Sequence, residues 1–152
     1  MDTTAFKNEI RMLWETSEIA YVASVNENGF PQMKAMLVFE RDSMATQYFS
    51  TNTSSRRVKQ FRDNPKASVY YCDAANFKGA LFTGTIEVCT DTETKKFLWR
   101  EGFEMYYPEG VTDEDYCVFK FTAATVNYYH GEDNISFEID ELKQEESACQ
   151  KS

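Results

Sequence analysis

The stretch from Gln47 to Pro65, QYFSTNTSSRRVKQFRDNP, decides how the remainder of the chain is read. It opens as a short strand, Gln47 to Ser50, crosses a run of Thr, Asn and Ser, and becomes a helix with Val58 and Phe61 on one face. The charges at the helix start run against the usual order. A helix N-terminus carries partial positive charge and unpaired backbone N–H groups, so acidic residues are favoured in its first turn. Here that turn holds Arg56 and Arg57, with Lys59 close behind. This placement costs stability unless an anion sits there. The hydroxyls of Thr51, Thr53, Ser54 and Ser55, the free N–H groups and two guanidinium forks together make the parts of a phosphate cradle. The same residues also fit a solvated basic helix face in which Ser54 or Ser55 serves only as N-cap, and the residues alone leave both readings open.

The chain has 152 residues, enough for one core that buries roughly 70% of the unfolded surface. The expectation is a single domain over residues 1–140 followed by a polar tail, 141–152. With 42% hydrophobic and 15% aromatic residues the composition is that of a compact globular chain. No apolar run reaches the ~18 residues of a membrane span, so a soluble, cytoplasmic protein is expected. A net charge of −9 repels nucleic acid and acidic membranes. Against it, Arg56 to Lys66 holds five basic residues and one acid, a basic island suited to one small anion rather than a polymer. The four cysteines are far apart in sequence and there is one histidine, His130, which argues against zinc. Cys72, Cys89 and Cys117 sit in apolar runs and read as buried free thiols; Cys149 lies in the polar tail.

Outward from the cradle the elements follow in order. Thr3 or Thr4 can cap a first helix with Phe6, Ile10, Leu13 and Trp14 on one stripe, ending near Thr16. Ile19 to Asn26 and Phe30 to Glu40 read as strands joined by a tight Asn28-Gly29 hairpin with positive φ angles. After the cradle helix, stopped by Asn64-Pro65, come strands at Ala67 to Cys72 and Lys78 to Cys89, the latter with Gly79 and Gly84 at points of close approach or a bulge. Thr90 and Glu93 make a capping box for a helix carrying Phe97, Leu98 and Trp99. Gly102 to Gly110 is an aromatic-rich loop or short helix, Tyr116 to His130 one or two strands, and Ile135 to Ile139 a last short strand. Hairpin-sized connections and too few crossover helices exclude a parallel sheet. The fold class is mainly β, an antiparallel β-barrel with flanking helices.

The succession GFPQMKAMLVF (29–39), YFSTNTSSRRVKQFRDNPKASVYY (48–71), GALFTGTIEV (79–88) and a helix ending in FLW (97–99) resembles the pyridoxamine 5′-phosphate oxidase-like, FMN-binding split-barrel superfamily, nearest its general stress protein branch. The resemblance covers roughly Ile10 to His130. It implies that Lys34, Ser55, Arg56 and Arg57 hold the FMN phosphate, that the backbone of Lys34, Ala35, Met36 and Leu37 lies along the flavin ring, and that Thr51 is near the cofactor. It also implies a homodimer with FMN in the interface. Trp99 to Tyr107, Tyr128 and Tyr129 would then cover the ring or join the interface, or simply pack in the core. Lys34 stands where the oxidases proper have Arg, Phe39 replaces their next Lys, and their Arg-x-His segment has no counterpart, which argues against vitamin B6 oxidation. Lys lacks the bidentate fork of Arg, so a looser phosphate grip is expected.

Two functions follow. One is an FMN-dependent oxidoreductase working with a small-molecule electron donor and acceptor, its catalytic side chains unassigned. The other is a non-catalytic module that holds FMN, haem or another anionic cofactor as a carrier or stress sensor. His130, at a strand end, reads as structural before catalytic.

Overall fold

A computed structural model describes residues 2–143; the expected polar tail beyond residue 143, Cys149 included, lies outside the described residues. Helix α1 (Thr3–Thr16) buries Phe6, Ile10, Leu13 and Trp14. Its cap is Asp2 rather than Thr3 or Thr4: the Asp2 carboxylate accepts from the Ala5 N–H at 2.8 Å, the stronger acceptor and the one matched to the helix dipole. At its other end Arg41 donates to the carbonyls of Trp14 and Ser17, which satisfies two backbone acceptors there.

Strands β1 (Ile19–Val25) and β2 (Pro31–Leu37) form the first hairpin. Its turn is longer than the expected two residues. Asn26 accepts from the N–H groups of Asn28 and Phe30 at 3.0 and 2.9 Å, so only Gly29, at φ 84°, needs the left-handed conformation. β2 also stops short of Glu40, because Arg100 takes the Phe39 carbonyl at 3.2 Å and the Glu40 carboxylate at 2.7 Å and draws that segment from the sheet. Then follow β3 (Thr46–Asn52), α2 (Arg56–Asp63), β4 (Lys66–Asp73), β5 (Lys78–Cys89), α3 (Thr92–Leu98), β6 (Tyr116–His130) and β7 (Asp133–Glu138). The α3 cap is Asp91, not Thr90: its carboxylate accepts from the Thr94 N–H at 3.0 Å and the Thr94 hydroxyl at 2.7 Å.

All strand pairs are antiparallel, in the order β2-β1-β4-β5-β6-β3, with β7 also on β6. β6, 15 residues long, pairs with β3 along its first half and with β7 along its second. β5 follows it through a register shift at Thr83/Gly84, where any Cβ on Gly84 would run into the Thr122 carbonyl. The sheet curls around one core, with α1 and α2 packed against it, β2 left as one edge and β3 and β7, both paired to β6, as the other. This is the split, helix-flanked antiparallel barrel expected from the sequence.

The interior is filled by alternate residues of each strand, among them Val22, Phe49, Val69, Phe82, Phe119 and Val126. Val58 and Phe61 insert from α2, Phe61 meeting the Phe119 ring at 5.0 Å. Each such burial contributes about 1.5–3 kcal/mol. The buried Tyr71 hydroxyl donates to Gln47 at 2.6 Å, and the Gln47 amide donates to the Met44 carbonyl at 2.7 Å, so this polar insertion is satisfied.

A second cluster gathers Leu98, Phe103, Tyr107 and Tyr116, with Trp99 edge-on to Tyr116 at 5.1 Å. Core packing thus accounts for most of the aromatic stretch. Met105 and Tyr106 stand 83% and 73% exposed beside it. Tyr128 is fully buried, and Tyr129 shares a hydroxyl–hydroxyl hydrogen bond with Tyr70.

Candidate functional site

The connection from β3 to α2 is pinned by Asp115. Its carbonyl accepts from the Thr53 N–H at 2.6 Å and its carboxylate from the Ser54 N–H at 2.9 Å. Asn52 donates to the Ser54 hydroxyl at 3.2 Å. Ser55 occupies the N-cap position of α2 but its side chain makes no capping bond, and its hydroxyl oxygen is buried without a protein partner. The first turn contains no acid. Of the two arginines, Arg56 is exposed and Arg57 is buried, at 8% exposure.

Arg57 turns inward over the Phe61 ring and donates through Nη2 to the Val22 carbonyl. Its Nε and Nη1 are buried with no hydrogen-bond partner. Burial pulls this guanidinium down from its ordinary value to about 10. A buried cation with two idle donors, two residues along from an idle buried hydroxyl, is an arrangement that an anion would complete.

Val22 links the cradle to β2, because its cross-strand partner is Lys34. Cross-strand partners share a face of the sheet, so Gln32, Lys34 and Met36 lie on the side of buried Ser24, Val22 and Ala20. Ala35 and Leu37 belong to the opposite face, with Met33. The structure therefore ties Arg57 to the Val22–Lys34 rung, while Ser55 and the exposed Arg56 stand at the same helix start. It splits the β2 run between two faces. Thr51 sits on the other edge strand, opposite Cys117.

Sequence reading missed Val22, whose carbonyl is the hinge of the arrangement and which carries no side-chain signal. It also missed the cleft beside the cradle, about 630 Å³ in volume, where Arg56, Lys59 and Gln60 of α2 face Asn26 and Gln32 of the first hairpin. Gln60 anchors that face by accepting from the Ser24 hydroxyl at 2.5 Å.

A second polar cluster involves His130. Glu9 of α1 accepts from the Tyr128 hydroxyl, meets His130 Nδ1 at 3.0 Å, and has Lys78 Nζ at 3.6 Å. Burial pushes the Glu9 carboxyl up, but the Tyr128 hydroxyl, Lys78 and His130 outweigh it and hold the carboxyl below its ordinary value. His130 thus docks α1, the structural role read from its position. Cys89 and Cys117 are buried free thiols and Cys72 a half-buried one; burial pushes Cys89 up to about 11. Among the described residues no group of three or more His, Cys, Asp or Glu side chains could hold a metal, and no helix is long and apolar enough to cross a membrane.

A split antiparallel barrel with flanking helices and a basic, acid-free strand-to-helix junction defines the fold class. Within it the chain belongs to the pyridoxamine 5′-phosphate oxidase family, whose sequence profile matches residues 6–130. A crystal structure from Clostridium acetobutylicum is similar, a protein related to general stress protein 26 of Bacillus subtilis and of the pyridoxinephosphate oxidase family. It has 41% identity and a TM-score of 0.83 over 93% of this chain and 99% of that one. The general stress protein branch expected from the cradle motif is the one this relative bears. Two more distant structures share the fold. A pyridoxamine 5′-phosphate oxidase-related, FMN binding protein of Nostoc punctiforme has 14% identity and a TM-score of 0.60, over 91% and 98% of the two chains. A heme binding protein of Mycobacterium smegmatis has 12% identity and a TM-score of 0.69, over 91% and 59%. No curated protein matches the chain.

Proposed function

We propose that this chain is an FMN-binding oxidoreductase whose Lys34, Ser55, Arg56 and Arg57 hold the cofactor's phosphate. The observation that carries the reading is buried Arg57, with two guanidinium nitrogens lacking partners, and the equally unpartnered Ser55 hydroxyl, both at a helix start without acids. The fold neighbour named as FMN binding supports the choice of anion. The β2 residues Lys34, Ala35, Met36 and Leu37, with Thr51, are those that would hold the ring. FMN, when bound, supplies the redox chemistry. The chain supplies the grip: Arg57 as a buried fork fixed by Val22, and Lys34 as a single point charge reaching from β2. The departures at Lys34 and Phe39 direct the reading away from vitamin B6 as substrate.

A second copy of the chain completes this picture. Ile19, Tyr21, Met33, Leu37 and Leu81 are exposed on adjoining strands of the outer sheet face, where Tyr21 pairs with Tyr70 and Tyr70 with Leu81. An apolar face of that continuity suits a homodimer interface. Three free thiols suit a reducing cytoplasm.

The test is FMN titration by fluorescence quenching, with riboflavin as the phosphate-free control, on the wild type and the Arg56→Ala, Arg57→Ala double variant. Tight FMN binding that the double variant loses, with riboflavin weak throughout, is the expected result. FMN binding no better than riboflavin, or unchanged in the variant, would refute the cradle. Reduction of the loaded protein by NAD(P)H separates an oxidoreductase from a passive carrier. The second reading, a haem carrier or sensor, draws on the shared fold of the heme binding protein, and a sharp Soret band on haem addition would favour it.

A further inference from the structure

We propose that Ser24 and Gln60 are positioning residues for the phosphate: their hydrogen bond sets the spacing between the start of α2 and β2, and with it the preference for FMN over a flavin that lacks a phosphate. This rests on the phosphate position assigned above. Among the described residues two side-chain hydrogen bonds tie α2 to β1. Arg57 donates to the Val22 carbonyl, and Gln60, about one turn later, accepts from the Ser24 hydroxyl at 2.5 Å. Residues three apart on a helix share a face, as do residues two apart on a strand, so the two ties run side by side. One tie would let the helix pivot about it; two fix its direction. Each also lands on a rung that continues into β2, Val22 opposite Lys34 and Ser24 opposite Gln32. The placement of Lys34 relative to the Arg57 guanidinium is therefore set through β1, by both ties together.

Packing alone gives no reason for the second tie. Ser24 is 1% exposed, on the core-facing side of β1 with Ala20 and Val22, where an alanine would fill the space and need no partner. α2 is already anchored by Val58 and Phe61, both buried. Apolar contact is non-directional and tolerates a helix that slides or turns slightly. A hydrogen bond, with its narrow range of distance and angle, does not. Arg57 holds one nitrogen on Val22 and leaves Nε and Nη1 without partners, so on its own a single bond would have to aim the guanidinium and seat the helix as well. A phosphate gripped by Arg57 from one element and Lys34 from another needs both held within about 0.5 Å of the working geometry, which is the task of a supporting pair such as Ser24 and Gln60.

The test measures FMN and riboflavin affinities, together with the phosphorus NMR signal of bound FMN, for the full chain, for Ser24→Ala and Gln60→Ala singly, and for the pair. Each single substitution is expected to weaken FMN about tenfold, the worth of one hydrogen bond, to leave riboflavin unchanged and to move the phosphorus signal. The double variant should bind FMN as either single variant does, because the two residues act as one unit. FMN affinity unchanged in the variants, while the wild type still prefers FMN to riboflavin, would overturn the positioning role and leave the cradle standing. So would an equal loss for both flavins, which marks a general loss of structure, or additive losses in the double variant, which mark two independent residues. If the wild type binds FMN no better than riboflavin, the cradle assignment fails and this inference falls with it.

Discussion

The two polar clusters of this barrel are built from similar parts and finished differently. Around Glu9, a carboxylate, a phenol, an imidazole and an ammonium meet, and each finds a partner inside the fold. Around Arg57, a guanidinium and a hydroxyl are equally withdrawn from water, yet two nitrogens and one oxygen find none. A native fold satisfies nearly all its buried polar atoms, so unmet ones concentrated at one helix start mark where the fold expects something from outside. The first cluster holds the molecule together; the second is held together by it, at a cost to stability that a ligand would offset.

That contrast can be broken most sharply at Arg57. Replacing Arg56 by Ala and Arg57 by Met removes two cationic donors, and FMN affinity should fall at least about a hundredfold, given ~1.5–3 kcal/mol for each charge-assisted bond. The ligand-free protein should melt no lower than wild type, because an apolar side chain of similar length replaces a buried, half-satisfied charge. A large drop in melting temperature without loss of FMN would show that the cradle is structural.

Glu9 should answer in the opposite sense. Glu9→Ala leaves Tyr128 and His130 without their acceptor and should cost about 1–3 kcal/mol in chemical denaturation, with FMN affinity unchanged. The same carboxyl gives the contrast a pH signature. Because its folded pKa is depressed, its contribution is fully present above the unfolded carboxyl value, about 4.3, and is lost as pH falls through the lower folded value. Denaturation curves between neutral pH and pH 3 should therefore steepen less in Glu9→Gln than in wild type. Ser55→Ala carries the smallest effect: stability within about 0.5 kcal/mol of wild type, and FMN weakened by a few-fold to tenfold. A clear destabilisation of the ligand-free protein would mean that the hydroxyl caps α2 after all.

What the sequence disclosed follows the same division. The hydrophobic periods of α1 and the strands, the Asn64-Pro65 stop and the bulge glycine at Gly84 are local signals, and the elements they announce are present. The misplaced ends had local competitors: Asp2 and Asp91 took the caps from Thr4 and Thr90, and the Asn26 side chain turned a two-residue hairpin into a longer one. The inverted charge at the start of α2 was legible because it broke a rule of helix electrostatics. The Val22 carbonyl, and the cleft between residues far apart in sequence, were not. A backbone acceptor has no residue code, and a cavity is a property of how elements stack rather than of any one of them.

The pairing of β3 with β6 has a consequence for how the molecule is made. As a strand, Thr46–Asn52 pairs only with residues 116–122, and through Asp115 the same distant segment fixes the cradle loop. On the ribosome, β1, β2 and β4 can find one another while β3 is still without its neighbour. The strand that leads into the cradle therefore waits for more than sixty further residues to emerge, the interval from Asn52 to Tyr116. Long-range pairing of this kind is slow to form and leaves a β edge open to wrong partners. The same strand carries Phe119, Phe121 and Val126 of the core, so core and cradle are completed together once β6 has emerged, and a chain truncated before it would lack both.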